Sequence, residues 1–203
     1  MAKQKSTKIY EVKPLKTQEE VDDMRQVLRG QGSDFFTTNR TGRRNLMLFD
    51  LGCLTGLRVS DIVGLRVKDV IKGGVPKIRE VKTRKKTHTY INKALLHEIK
   101  QYVAFMHLKP DDWLFPSRKK SVGSGHISTT QVYRFLVEAG DMLGRHDIGT
   151  HTMRKTFGWQ YYKSGGRIEE LQQILNHTTP AVTRRYLGLD QEDINNKLKN
   201  FHF

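Results

Sequence analysis

Five side chains in widely separated polar patches, Arg58, His151, Arg154, His177 and Tyr186, have the types needed for phosphoryl transfer through a covalent protein intermediate. Such a reaction needs a nucleophile to attack phosphorus, cations to neutralise the non-bridging oxygens, and an acid to protonate the leaving oxygen. Arg58 lies in "LTGLRVSDIVGLRVKDV". It follows an apolar helical stretch and adjoins a helix start, where free N–H groups and a guanidinium fork can hold a phosphate together. His151 and Arg154 lie in "GTHTMRKTFG". A spacing of three puts them on one helical face, with bidentate phosphate binding beside an imidazole that can move a proton. His177 sits in "LQQILNHTTPAVTRRYLG", between two helical patterns, and Tyr186 follows nine residues later in the same block. Lys82 stands at the tip of the basic run "VKTRKK", where a flexible ammonium can reach into a groove.

Each of these features has a plainer meaning alone. An arginine beside a helix start is ordinarily a surface charge, a histidine can be a hydrogen-bonded core residue, a tyrosine is more often a half-buried packing aromatic, and a lysine run is usually a solvated loop. Their joint order gives them weight.

The elements that must position them can be read from periodicity and capping. Residues 1–16 are polar and lysine-rich and are expected to form a loose arm ahead of one domain over 17–203. Thr17 and Glu20 have capping-box spacing before Val21, Met24 and Leu28. Residues 29–42 carry turn residues. A buried helix is expected over 43–55 with Gly56 as its stop, then a short helix capped by Ser60 and running through Leu65. The stretch 73–92 has a Gly-Gly turn, alternating apolar positions and a basic tip, which is a β-hairpin pattern. Asn92 and Ser128 are placed to cap two further amphipathic helices, with "DDWLFP" as an apolar anchor in the loop between them. Helical patterns also fit 150–164, 167–176, 180–187 and 190–199, and Pro180 suits a first helical turn. The expected fold is mainly α with one small antiparallel sheet, an α+β domain.

Composition narrows the partner. Among 203 residues there are 36 Lys+Arg against 21 Asp+Glu, for a net charge of +15. Such an excess favours a polyanion, with double-stranded DNA as the first candidate. A membrane surface fits less well, because no long apolar run or basic helix with a separate apolar face is present. The single cysteine, Cys53, allows no intrachain disulfide and lies in an apolar stretch as core filler, which suits a cytoplasmic protein. One cysteine and scattered histidines have no zinc-ligand spacing.

The blocks together resemble the catalytic domain of the tyrosine recombinase (phage integrase) family. "TGLRVSDIVGL" looks like its first arginine motif, "VKTRKKTHTYI" like its catalytic-lysine hairpin, "GTHTMRKTFG" like its H-x-x-R box, and "LQQILNHTTPAVTRRYLG" like the histidine-to-tyrosine block. The resemblance runs from about residue 14 to residue 190. It implies the tyrosine recombinase catalytic fold and site-specific DNA recombination without metal, cofactor or ATP. Tyr186 would attack the scissile phosphate to form a 3′-phosphotyrosine. Arg58 and Arg154 would clamp its oxygens, Lys82 would act as general acid, His151 would assist proton transfer, and His177 would hydrogen-bond the phosphate. Asp61 matches the family's acidic position and would orient its neighbours. A tetramer on paired DNA sites is implied, with the apolar stripe Ile194, Leu198 and Phe201 docking either on its own domain or on a neighbouring protomer.

Two departures stand out. The family's hairpin usually has a glycine soon after its lysine, whereas Thr83 and Arg84 follow Lys82 here, which leaves Lys85 or Lys86 as alternatives for the reaching lysine. The family's N-terminal clamping domain has no counterpart in residues 1–16, so the chain is either a naturally short recombinase or a catalytic fragment. Arg84, Lys85 and Lys86 are expected to approach DNA, with Lys119, Lys120 and Lys155 as further phosphate contacts; such contacts position the duplex without reading its sequence. The alternatives are a DNA-binding regulator that has lost catalysis and a type IB topoisomerase-like relaxing enzyme.

Overall fold

The computed structural model describes residues 11–31, 39–76, 78–117, 125–199 and 201. Ten helices are found among them: α1 (Gln18–Gly30), α2 (Arg40–Thr55), α3 (Val59–Val63), α4 (Val67–Val70), α5 (Lys93–Met106), α6 (Thr129–Met142), α7 (Thr152–Lys163), α8 (Ile168–Ile174), α9 (Pro180–Leu187) and α10 (Leu189–Lys199). None is long and apolar enough to cross a membrane.

Helix α2 is the organising element. Met47, Leu48, Phe49, Leu51 and Cys53 are buried within it, and it packs against α1, α5 and α7. The apolar faces of α1 (Val21, Met24, Leu28), α5 (Leu95, Ile99) and α6 (Val132, Leu136, Ala139) close on the same core. A second, smaller core forms where Trp159 of α7 meets Leu171, Leu175, Leu187 and Leu189. Helix α7 therefore spans both cores, with Met153 in the first and Trp159 in the second. Its N-terminal end, with His151 and Arg154, is held against α2 while its C-terminal half carries α8 and α9.

The local signals act as their chemistry requires. Thr17 accepts from Glu20 N at 3.1 Å and completes a capping box, Ser128 and Gln131 form a second, and Asn92 accepts from Leu95 N at 2.8 Å. Gly56 ends α2 in the left-handed region, and Pro180 opens α9. The short helix after Gly56 differs from expectation. Arg58 is its N-cap, Ser60 lies inside its first turn, and it ends at Val63. In the expected anchor, Leu114 and Phe115 are fully buried, with Leu114 N donating to Leu65 O at 2.8 Å.

The expected antiparallel sheet is not formed as strands among the described residues. The 73–92 segment folds back on itself through isolated antiparallel bridges, Gly74 with Ile91 and Arg79 with Lys86. The ladder breaks between them because Ile78 N donates to Pro76 O, two residues back, while Ile78 O accepts from Thr87 N. One of the two cross-chain bonds of that pair is thus lost. The chain reverses at 81–84, where Arg84 N donates to Glu80 O and Arg84 itself takes φ +59°. Arg84 thus adopts the left-handed backbone that a glycine would hold with less strain.

Of the segment 1–16, the described part, 11–16, lies against the domain. Leu15 is buried in the main core, Leu15 N donates to Thr156 Oγ1 at 2.9 Å, and the Lys16 ammonium sits 3.9 Å from the centre of the Trp159 ring. Its apolar Leu15 outweighs its lysines: Leu15 is buried while Lys13 and Lys16 stay exposed at the rim.

Candidate active site

A cleft of about 220 Å³ is lined by Arg58, Ser60, Lys82, Thr150, His151 and Arg154, among others. These residues come from the start of α3, the hairpin tip and the start of α7. Tyr186, on α9, closes the group, with its hydroxyl 3.2 Å from His151 Nδ1. The His177 ring packs edge-on against the Tyr186 ring at 5.0 Å between centres. Side chains spread over residues 58–186 thus meet in one place.

Local chemistry explains each position. The turn at Gly56 redirects the chain out of α2 and delivers Arg58 to the cleft. Arg154 is only 4 % exposed and is held by backbone acceptors, donating from Nη1 to Gly56 O and from Nη2 to Leu175 O. Its guanidinium is thereby tied to the end of α2 and to the turn that follows α8. That turn places Asn176 at φ +49° and aims His177, whose Nδ1 lies 3.0 Å from Thr183 Oγ1. Asp61 is buried behind the cleft, where its Oδ1 accepts from Val81 N at 2.8 Å and its Oδ2 has no hydrogen-bond partner among the described residues. It fastens the hairpin to α3.

Electrostatics set the resting protonation states. Burial raises the Tyr186 pKa to about 12, against the pull of Arg154 and Arg58, so the residue stands as a neutral phenol. Burial, then Arg154 and Arg58, lowers His177 to about 4. Partial burial lowers His151 too, followed by the charges of Arg154, Lys155, Arg58 and Lys82. Both imidazoles are therefore neutral near pH 7. In the tautomer with its proton on Nε2, His151 offers Nδ1 to the phenolic proton of Tyr186.

Among the basic residues expected to touch DNA, Arg84, Lys85 and Lys86 are exposed along the hairpin. Lys119 and Lys120 lie outside the described residues. Lys155 departs from expectation: it is 8 % exposed, its ammonium lies 5.3 Å from the centre of the Tyr186 ring, and its Nζ is 3.5 Å from Glu11 Oε1. It follows Arg154 directly on the helix, and the 11–16 segment covers the face to which it points, so it is not on the open surface.

One buried residue at the site went unread in the sequence. Glu80 is 2 % exposed and pairs with Arg58 through Oε1. Its signal was present: it is the single acidic residue of the stretch 77–86, among six basic ones. An acid that persists in such company has a partner, but its partners lie in other elements.

Comparison with known proteins follows the same outline. The chain is 38 % identical over 181 residues to a probable integrase/recombinase, YoeC, of Bacillus subtilis (strain 168), covering 89 % of this chain and 92 % of that one. It spans only 54 to 57 % of the length of further relatives described as tyrosine recombinases. In fold it is similar to the XerH site-specific recombinase bound to palindromic difH substrate in a post-cleavage complex, with TM-score 0.67 and 19 % identity over 92 % of this chain and 52 % of that one. It is also similar to the catalytic domain of bacteriophage HP1 integrase, with TM-score 0.53 and 20 % identity over 87 % of each chain. The phage integrase family matches residues 17–193, a span that contains every residue named at the cleft, and the chain belongs to that family.

Proposed function

We propose that this protein is a tyrosine site-specific recombinase that cuts and rejoins DNA through Tyr186. The observation that carries this reading is the approach of the Tyr186 hydroxyl to His151 Nδ1, at 3.2 Å, beside a cleft shared by Arg58, Arg154 and Lys82. A phosphodiester seated between the two guanidinium groups has its negative oxygens neutralised. The Tyr186 oxygen then attacks phosphorus as the phenolic proton passes to His151. The bond to the 5′-oxygen breaks, and that oxygen takes a proton from Lys82. His177 hydrogen-bonds a phosphate oxygen, and Asp61 keeps the hairpin in register. The new 3′-phosphotyrosine retains the energy of the broken bond, so attack by a 5′-hydroxyl reseals the strand without ATP. The arginines supply the charge compensation that a metal gives in other phosphoryl transfers.

Double-stranded DNA is the partner, approached by Arg84, Lys85 and Lys86. Assembly of a tetramer on paired sites fits α10, where Ile194 is 51 % and Leu198 64 % exposed, with Phe201 just beyond at 62 %. Ile194 and Leu198 present an apolar edge that can dock on a neighbouring protomer.

The test uses a pool of nicked duplexes with a randomised central segment. The nick lets the fragment beyond the cut diffuse away, which traps the covalent intermediate. The expected result is a detergent-stable protein–DNA adduct that is absent from Tyr186→Phe, and sequencing the trapped DNA yields the target site. Binding to the pool with no adduct would instead mark a DNA-binding regulator.

A further inference from the structure

The geometry points to Glu80 as a positioning residue for strand cleavage: its carboxylate holds Arg58 and Arg154 at a fixed spacing and seats the Lys82 hairpin against them. This rests on the recombinase reading above and assigns a role to a residue that reading leaves unused. Oε1 of Glu80 pairs with Nη1 of Arg58 and lies 4.0 Å from Nη2 of Arg154, while Oε2 accepts from Thr83 Oγ1. Asn176 also acts to lower the pKa of the carboxyl, and its Nδ2 donates to Lys86 O at 3.1 Å on the same hairpin. The Glu80 backbone closes the hairpin, with its N–H donating to Lys85 O and its carbonyl accepting from Arg84 N, both at 2.9 Å. One buried carboxylate therefore contacts the residue that opens α3, the arginine of α7 and the residue after Lys82, and feels the residue before His177.

Two guanidinium groups so close repel each other. Arg154 shows this, since after burial the charge of Arg58 is the next influence lowering its pKa. A carboxylate between them offsets that repulsion and leaves about one net positive charge, enough to receive a singly charged phosphodiester. Burial works to raise the Glu80 pKa, but the hydrogen bond from Thr83, the pull of Asn176 and the charge of Arg58 outweigh it, so the group stays ionised. The atoms that Glu80 fixes are those whose placement sets the rate, and misplacement by about 1 Å can cost about a hundredfold.

The experiment compares the wild type, Glu80→Gln, Arg58→Ala and the double variant under single-turnover conditions on a nicked duplex recovered from the pool. It reads DNA affinity, active fraction from adduct amplitude, and cleavage rate constant separately. Glu80→Gln is expected to cleave about tenfold or more slowly, with DNA affinity equal to or tighter than the wild type because a negative charge is gone. If Glu80 acts through the arginines, adding Glu80→Gln to Arg58→Ala costs little more, whereas an independent structural role multiplies in full. A Glu80→Gln rate constant equal to or above that of the wild type overturns the inference, as does full multiplication with Arg58→Ala. Should Glu80→Gln fail to fold, Glu80→Asp keeps the charge, draws it back by one methylene, and is held to the same two criteria. Should the wild type form no adduct on any duplex, it is the recombinase reading that fails; an active wild type beside an unimpaired Glu80→Gln removes only the role of Glu80.

Discussion

At the scale of single residues, the site is prepared for charge that arrives with the substrate. Burial keeps Tyr186 a neutral phenol against the pull of the arginines, while burial and those same cations together keep both histidines neutral, so none of the three presents a charge at the mouth of the cleft. This has a consequence for the free protein. His177 has a folded-state pKa of about 4 against an ordinary value of 6.5, so below pH 6.5 the unfolded chain takes up a proton that the folded chain refuses. Its contribution to stability is complete above pH 6.5 and is lost as pH falls toward 4. Chemical denaturation at a series of pH values should show the wild type weakening across this window, with a shallower slope in His177→Gln. An equal slope in the two proteins would mean that the imidazole titrates normally in the fold.

At the scale of elements, the junction of α2 and α3 couples packing to chemistry. Gly56 has φ +66°, its carbonyl accepts from Arg154, and a Cβ placed there would lie 2.5 Å from Phe157 Cδ1. Gly56→Ala combines a left-handed backbone penalty with an overpacked contact, together about 2–4 kcal/mol. Because the same turn delivers Arg58 and anchors Arg154, the cleavage rate should fall even at temperatures where the variant remains folded. Thermal denaturation paired with adduct kinetics checks both halves, and a stable Gly56→Ala protein of normal rate would contradict this account. Arg84 presents the opposite balance: a non-glycine residue held at φ +59° at the point where the hairpin reverses. The strained arginine keeps an additional cation on the face proposed to meet DNA.

For the whole molecule, the excess of 36 basic over 21 acidic residues sets the strength and the salt sensitivity of DNA binding. Each phosphate contact releases counterions and steepens the dependence of log affinity on log salt by about 0.9. Replacing Arg84, Lys85 and Lys86 together with alanine is expected to flatten that slope by about 2–3 and to weaken binding to all sequences alike. Fluorescence anisotropy across a salt series measures it. An unchanged slope would take the hairpin tip off the DNA. Lys155, buried against Tyr186 and paired with Glu11, is expected to add no such contact, and its replacement should leave the slope unaltered.

The sequence by itself determined what is local or ordered along the chain. Capping boxes at Thr17 and Ser128, the stop at Gly56 and the start at Pro180 depend on neighbours a few residues away, and they appear where their side chains demand. The succession of arginine, lysine, histidine–arginine and histidine–tyrosine blocks was legible for the same reason, since residue types and their order survive without coordinates. Tertiary structure alone decided what depends on partners far apart in the chain. It turned Lys155 inward by laying residues 11–16 across α7, and it reduced the hairpin to isolated bridges where Pro76 captured the Ile78 amide. It also gave Glu80 its two arginines, one 22 residues before it and one 74 after. A buried charge is tolerated only where distant elements bring its counter-charges, and no window of sequence contains that information.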